Sequence, residues 1–179
     1  MSWNDYDRAV VDELEIAEII KEEMKYRGLL ISVKKNPNRY DADLEIIKDG
    51  NIIMRVEIEE ADYWKDYYYQ ERYIWDSFLA RKVDKYEDAC VYLIHNIPKT
   101  NMICQTIGKI KEVCEKVENS KAYENGKIDI NDKRYNMYYR ISKNNNEIIH
   151  EKKEVMDFIY KKIMKSIEKR KQKNLDNYD

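Results

Sequence analysis

Two glutamates two positions apart, Glu57 and Glu59, fall in the β-prone run 52–59 (Ile-Ile-Met-Arg-Val-Glu-Ile-Glu). On a strand such a pair projects from one face. Ile58 points to the other face, while its carbonyl stays beside the acids. The turn Lys48-Asp49-Gly50-Asn51 joins this run to an earlier one, 40–47, which carries Asp43. The hairpin is expected to bring three carboxylates together beside an apolar core, which is costly unless a cation neutralises them. Oxygen donors suit a hard divalent ion, Mg²⁺ or Mn²⁺. The expectation is a metal site made of Asp43, Glu57, Glu59 and the Ile58 carbonyl. An ion so held polarises a phosphate oxygen and lowers the pKa of a bound water. Asp41 and Glu45 share the face parity of Asp43, so either is an alternative ligand. Alternating acids also suit a solvated outer face.

Periodicity shows the elements that must position these groups. Residues 7–27 carry Val10, Val11, Leu14, Ala17, Ile20 and Met24 at helical spacing. Asp5 or Asp7 caps the start and Gly28 closes the end. A short β-prone run, 29–33, and a basic loop, 34–38, lead into the hairpin. Residues 90–95 (Cys-Val-Tyr-Leu-Ile-His) read as a buried strand, and 102–107 as a strand antiparallel to it. Residues 109–118 read as a helix continuation and 128–141 as one or two short strands. Residues 152–172 read as a second long helix, with Val155, Ile159, Ile163 and Ile167 on one face. No repeat or linker splits the chain. The expected fold class is mixed α/β (α+β), a central mixed β-sheet flanked by helices. Residues 1–150 form the main domain, and a basic C-terminal helix, 151–179, packs on it.

Composition narrows the function classes. The 179 residues suit one domain, 43% hydrophobic and 38% charged. The net charge of −2 gives no global attraction to nucleic acid, so binding must come from local basic patches. Three cysteines, an odd count without CxxC spacing, argue against a disulfide framework or zinc site and for a reducing compartment. The start Met1-Ser2-Trp3-Asn4-Asp5 lacks a basic stretch followed by an apolar one, so a cytoplasmic location is expected. No run approaches a membrane span, so no membrane partner is expected. There is no Gly-rich phosphate loop, GxSxG elbow or HExxH. His95, at the end of a buried strand, reads as structural, and His150 carries no signal.

The stretch from Asp43 through Lys48-Asp49-Gly50-Asn51 to Val56-Glu57-Ile58-Glu59 resembles the PD-(D/E)XK nuclease signature. There an Asp opens a strand, a short turn follows, and a hydrophobic strand ends in Glu-x-Lys. The layout is similar to that of archaeal Holliday junction resolvases, which also have an upstream helix ending in Gly. The resemblance covers residues 15–95. It implies a restriction-endonuclease-like core, Mg-dependent endonuclease activity on DNA, and a homodimer. It also implies a further metal-site Glu from the preceding helix. By distance from Gly28 that residue is Glu18, with Glu15 and Glu22 as rivals.

Two positions depart from the signature. Ala42 stands in place of Pro, and Glu59 in place of the catalytic Lys. A carboxylate there can ligate metal or order water, but it brings no positive charge to the phosphate. Lys65, Arg81 or Lys82 is expected to supply that charge from elsewhere. In nuclease-like proteins of this plan a basic element after the Glu-x-Lys strand faces the phosphate. This makes Arg81, Lys82 and Lys85 candidate backbone contacts. Lys65 joins them from the aromatic-rich run 60–75, whose rings either stack on unpaired bases or pack in the core, Trp64 and Trp75 foremost. The last helix carries Lys161, Lys162, Lys165, Lys169, Arg170, Lys171 and Lys173, either a phosphate-tracking arm or a solvated helix end. The reading reached is a metal-dependent DNA nuclease. The alternatives are an inactive nucleic-acid-binding module on the same fold and a viral or mobile-element interaction protein.

Overall fold

The hairpin forms as its turn residues require. The computed structural model describes residues 3–38, 41–61, 64, 75–118, 137–143 and 145–175. In it Asp49 and Gly50 both take positive φ, 51° and 76°. A two-residue type I′ turn needs this backbone. From it β2 (Leu44–Lys48) and β3 (Asn51–Ala61) run antiparallel, and β1 (Ser32–Lys35) pairs on the outer side of β2.

On the other side of β3 lies β5 (Val91–Asn96), parallel to it. Then follow β6 (Met102–Thr106) and the short β9 (Ile149–His150), both antiparallel to their neighbours. The result is a six-stranded mixed sheet in the order β1-β2-β3-β5-β6-β9. A second sheet, antiparallel and three-stranded, holds β4 (Trp75–Leu79), β8 (Met137–Ser142) and β7 (Glu115–Glu118) in the order β4-β8-β7.

Helices flank the central sheet. On one face α1 (Trp3–Tyr26) and the last helix, α4 (Lys152–Leu175), share a core with it: Ile16, Ile20 and Met24, Val56 and Ile58, Val91 and Leu93, Val155, Ile159 and Ile163. On the opposite face α2 (Ala80–Val83), α3 (Ile107–Val113) and the small sheet close a second core around Phe78, Val83, Tyr92, Ile94 and Ile110. The two-residue period of β5 sends Val91 and Leu93 one way and Tyr92 and Ile94 the other. Both faces are thus covered, which is why β5 is apolar throughout. Each fully buried aliphatic chain contributes about 1.5–3 kcal/mol. Four such residues, Val155, Met156, Ile159 and Ile163, fix α4 to the sheet. No helix among the described residues is long and apolar enough to cross a membrane.

Several sequence expectations shift. The buried stripe of α1 is Ile16, Ala17, Ile20 and Met24, while Val11 and Leu14 are 52% and 53% exposed. The helix ends in a Schellman motif. Gly28 (φ 75°) donates to the Lys25 carbonyl and Leu29 to that of Met24, both at 2.9 Å. The strand after it starts at Ser32, so Lys34 and Lys35 belong to β1 rather than to a loop. The helix expected over 109–118 stops at Val113. Cys114 turns extended (φ −96°, ψ 144°), and the chain pairs with β8 as β7. Of the strands expected in 128–141, β8 covers the described part. Residues 128–136 and most of the run 60–75 lie outside the described residues. Trp64 is buried, as expected of a core aromatic.

Candidate functional site

The site is a notch in the sheet. Pairing of β2 with β3 ends at Leu44 opposite Val56. Beyond it β2 diverges, and the N–H and C=O of Ile58 lose their strand partner. Side chains replace it. Asp43 Oδ2 accepts the Ile58 N–H at 2.8 Å, and Lys82 Nζ donates to the Ile58 carbonyl at 2.7 Å. The Asp43 backbone is held in turn by the Asn36 N–H, which donates to its carbonyl at 2.8 Å. Lys82 projects from α2 and also meets Glu57 Oε1 at 2.6 Å. Glu57 therefore shares the notch with Asp43, because a bulge at Ile46/Ile47 shifts the β2–β3 register by one residue and turns Asp43 to the face of Glu57.

Burial dominates the electrostatics. Glu57 is 2% exposed. Desolvation pushes its carboxyl up to about 7; Lys82 opposes the shift, and the charge of Asp43 adds to it. Burial works to lower the Lys82 ammonium, but Glu57, Glu59 and Asp43 outweigh it and hold the group above the ordinary lysine value. Tyr86 reaches toward Glu57, yet its hydroxyl donates to the Asp41 carbonyl at 3.2 Å, so Glu57 Oε2 is buried without a hydrogen bond. Burial, then the charge of Glu57, raises the Tyr86 phenol far above its usual range. Glu59 leaves the cluster, since its Oε2 accepts the hydroxyl of buried Tyr92. Burial and Glu59 together hold that phenol protonated.

The expectation of three unopposed acids is therefore corrected. Asp43 and Glu57 do meet the Ile58 carbonyl, but Glu59 is occupied by Tyr92 and an ammonium already balances Glu57. Among the described residues no three Asp, Glu, His or Cys side chains form a ready ion cage. Asp41 and Glu45 both face Arg55, at 3.6 and 3.7 Å, rather than the notch.

No family model, curated protein or solved structure matches this chain.

The helix glutamate is also corrected. Glu18 is 59% exposed and paired with Lys21 at 3.0 Å. Glu15 pairs with Lys99 and Glu22 with Lys25. The α1 acid beside the notch is Glu13, 15% exposed and 2.6 Å from Lys35. Burial raises its pKa, and the charges of Asp43 and Lys82 act on it. The signal was an acid on the stripe of Ile16, Ala17 and Ile20. Lys82 turns inward, its side chain 17% exposed and its ammonium on Glu57 and the Ile58 carbonyl. Arg81 is exposed, and Lys85 donates to the Tyr86 hydroxyl at 2.9 Å. Lys65 lies outside the described residues. Among the histidines, His95 is buried with Nδ1 at 2.8 Å from the Asn96 carbonyl. His150 is the surprise: its Nε2 lies 2.8 Å from Oδ2 of fully buried Asp76, tying the two sheets together.

Proposed function

We propose that the chain is a metal-dependent phosphodiesterase acting on DNA, with a restriction-endonuclease-like core. Asp43, Glu57 and the Ile58 carbonyl would hold the ion, and Lys82 would supply the positive charge that Glu59 lacks. One observation carries this reading. Lys82 bridges Glu57 and the Ile58 carbonyl at 2.6 and 2.7 Å, so the notch already selects a cation. The donors are all oxygens, which fits Mg²⁺ or Mn²⁺. Glu57 Oε2, buried without a hydrogen bond, has a lone pair for it.

A divalent ion bound there supplies Lewis acidity toward a phosphate oxygen and a more acidic water. The chain's own residues do the rest. The Ile58 N–H fixes the Asp43 carboxylate in place. Lys82 steadies Glu57 and presents its ammonium where a phosphoryl oxygen gains negative charge. Tyr92 keeps Glu59 turned aside. Glu13, from α1, adds negative potential behind Asp43.

A second reading is a nucleic-acid-binding module without hydrolysis. It is favoured by the same Lys82–Glu57 pair taken as a permanent neutraliser. Cleavage assays on single-stranded, duplex and branched DNA in Mg²⁺ and Mn²⁺ decide between them. For the enzyme, Glu57→Gln lowers the rate roughly 100-fold or more. DNA bound but uncut in every metal leaves the module.

A further inference from the structure

A cavity of about 350 Å³ opens at the other end of β3. Its origin is a missing neighbour. β5 begins at Val91 opposite Val56, so residues 51–55 of β3 have no strand on that side. The loop before β5 forms one wall and is pinned to α3, Gly108 donating to the Asp88 carbonyl at 2.9 Å and Ile107 to that of Cys90 at 2.8 Å. The second half of α4 forms the other wall.

That wall is basic. Lys162, Lys165 and Lys169 lie on one helical face and line the cavity, with Arg55 opposite on β3. Among the described residues none of the three lysines has a carboxylate partner, and the Lys162 ammonium lies over the Phe158 ring, 5.1 Å from its centroid. Burial, then Lys165 and Lys169, lowers the Lys162 ammonium below its usual value. Arg55 Nε is buried and makes no hydrogen bond. Arg55 is itself balanced, 3.6 Å from Asp41 and 3.7 Å from Glu45, and Asp88 is taken by Lys111 at 2.9 Å, while Glu87 is the further acid on the lining. The three lysines of α4 keep their charge without a carboxylate partner, and clustered cations of that kind leave an anion site.

We propose that this cavity seats a phosphate of a nucleic-acid backbone. A second cavity adjoins it, sharing Ile53 and lined by Lys48, Asp49, Arg170, Lys171 and Lys173; Asp49 lies 3.4 Å from Lys48, and Arg170 donates to the Ile52 carbonyl at 2.6 Å. Two basic seats in file suit successive phosphates of a strand better than one small anion. Tyr86 lines the first cavity, and its hydroxyl donates to the carbonyl of Asp41, two residues before Asp43, so the cavity and the notch are neighbours. The choice of nucleic acid as the bearer of the phosphate rests on the function proposed above; the anion site rests on the lysines.

The test is fluorescence anisotropy of labelled single-stranded and duplex oligonucleotides over a salt series, in chelator so that no cleavage intervenes. Lys165→Gln with Lys169→Gln alters exposed side chains, and a thermal melt checks that the fold is kept. Binding is expected to weaken roughly 10-fold or more, and the log–log salt slope to flatten by about 0.7–0.9 per lysine removed. Lys165→Arg with Lys169→Arg keeps the charge and retains binding. Wild-type affinity in the double Gln variant overturns the proposal. So does a protein that binds inorganic phosphate or pyrophosphate through these lysines but binds no oligonucleotide. Lysine-dependent binding by a protein that cuts nothing removes the nuclease reading and leaves this one standing.

Discussion

The Lys82 ammonium lies 2.6 Å from Glu57 Oε1, reaching it from α2 across the notch that β2 leaves beside β3. A positive charge thus enters the notch from an element other than the strand that carries Glu59. The pair sits in low dielectric, where breaking it by removing one partner is far more costly than its net contribution suggests.

Replacing Lys82 therefore has a pH-dependent effect. In the wild type the folded Glu57 keeps its proton up to about 7, whereas the unfolded carboxyl releases it near 4.5. The folded state binds more protons over that window, so stability falls as pH rises through it. Lys82→Met withdraws the opposing charge and pushes Glu57 further up. Because the wild-type carboxyl ionises only above about 7, the deficit at about pH 8 exceeds that at about pH 5 by at most roughly 1.4 kcal/mol. Urea melts at both values check this. An equal deficit at both would show that Glu57 does not carry the coupling.

Asp43 has two separable tasks. Its carboxylate caps the Ile58 N–H, a bond to a charged acceptor worth about 1.5–3 kcal/mol. Asp43→Ala loses that stability together with cleavage. Asp43→Asn keeps an acceptor, so its melting temperature stays close to wild type while cleavage is lost. Differential scanning calorimetry beside a cleavage assay reads both.

On α1 the expected contrast is between Glu13 and Glu18. Glu13→Gln lowers cleavage about 10–100-fold, as removal of a group supporting ligands does. Glu18→Ala, at an exposed helix position, changes stability by less than about 0.5 kcal/mol and leaves cleavage alone. Initial rates for the two variants are the measurement. Equal rates would remove Glu13 from the site.

Local chemistry made some of this legible in the sequence. Asp49-Gly50 dictates the hairpin, but Asp43 reaches the face of Glu57 only through a bulge at Ile46/Ile47 that shifts the register by one residue, which the turn does not announce. The continuous apolar run of β5 and the stripe on α4 also announced their burial. What stayed hidden was set by contacts distant along the chain. Nothing local says that β2 diverges after Leu44, and that divergence creates the notch. Lys82 lies on a helix of four residues, too short for periodicity to show which way its side chain points. Tyr92 captures Glu59 through a neighbouring strand, in a parallel pairing with no local signal. Val10, Val11 and Leu14 drew the α1 stripe out of register and concealed Glu13.

The central claim is that the notch accepts a divalent ion at Asp43, the Ile58 carbonyl and the unbonded Oε2 of Glu57, beside the Lys82 ammonium. Mn²⁺ binding followed by electron paramagnetic resonance tests it directly in wild type, Asp43→Asn and Lys82→Met. The expected result is binding by the wild type, weakened about 10-fold or more in Asp43→Asn, and tightened in Lys82→Met because the competing ammonium is gone. Wild type and Lys82→Met both failing to bind Mn²⁺ would contradict it.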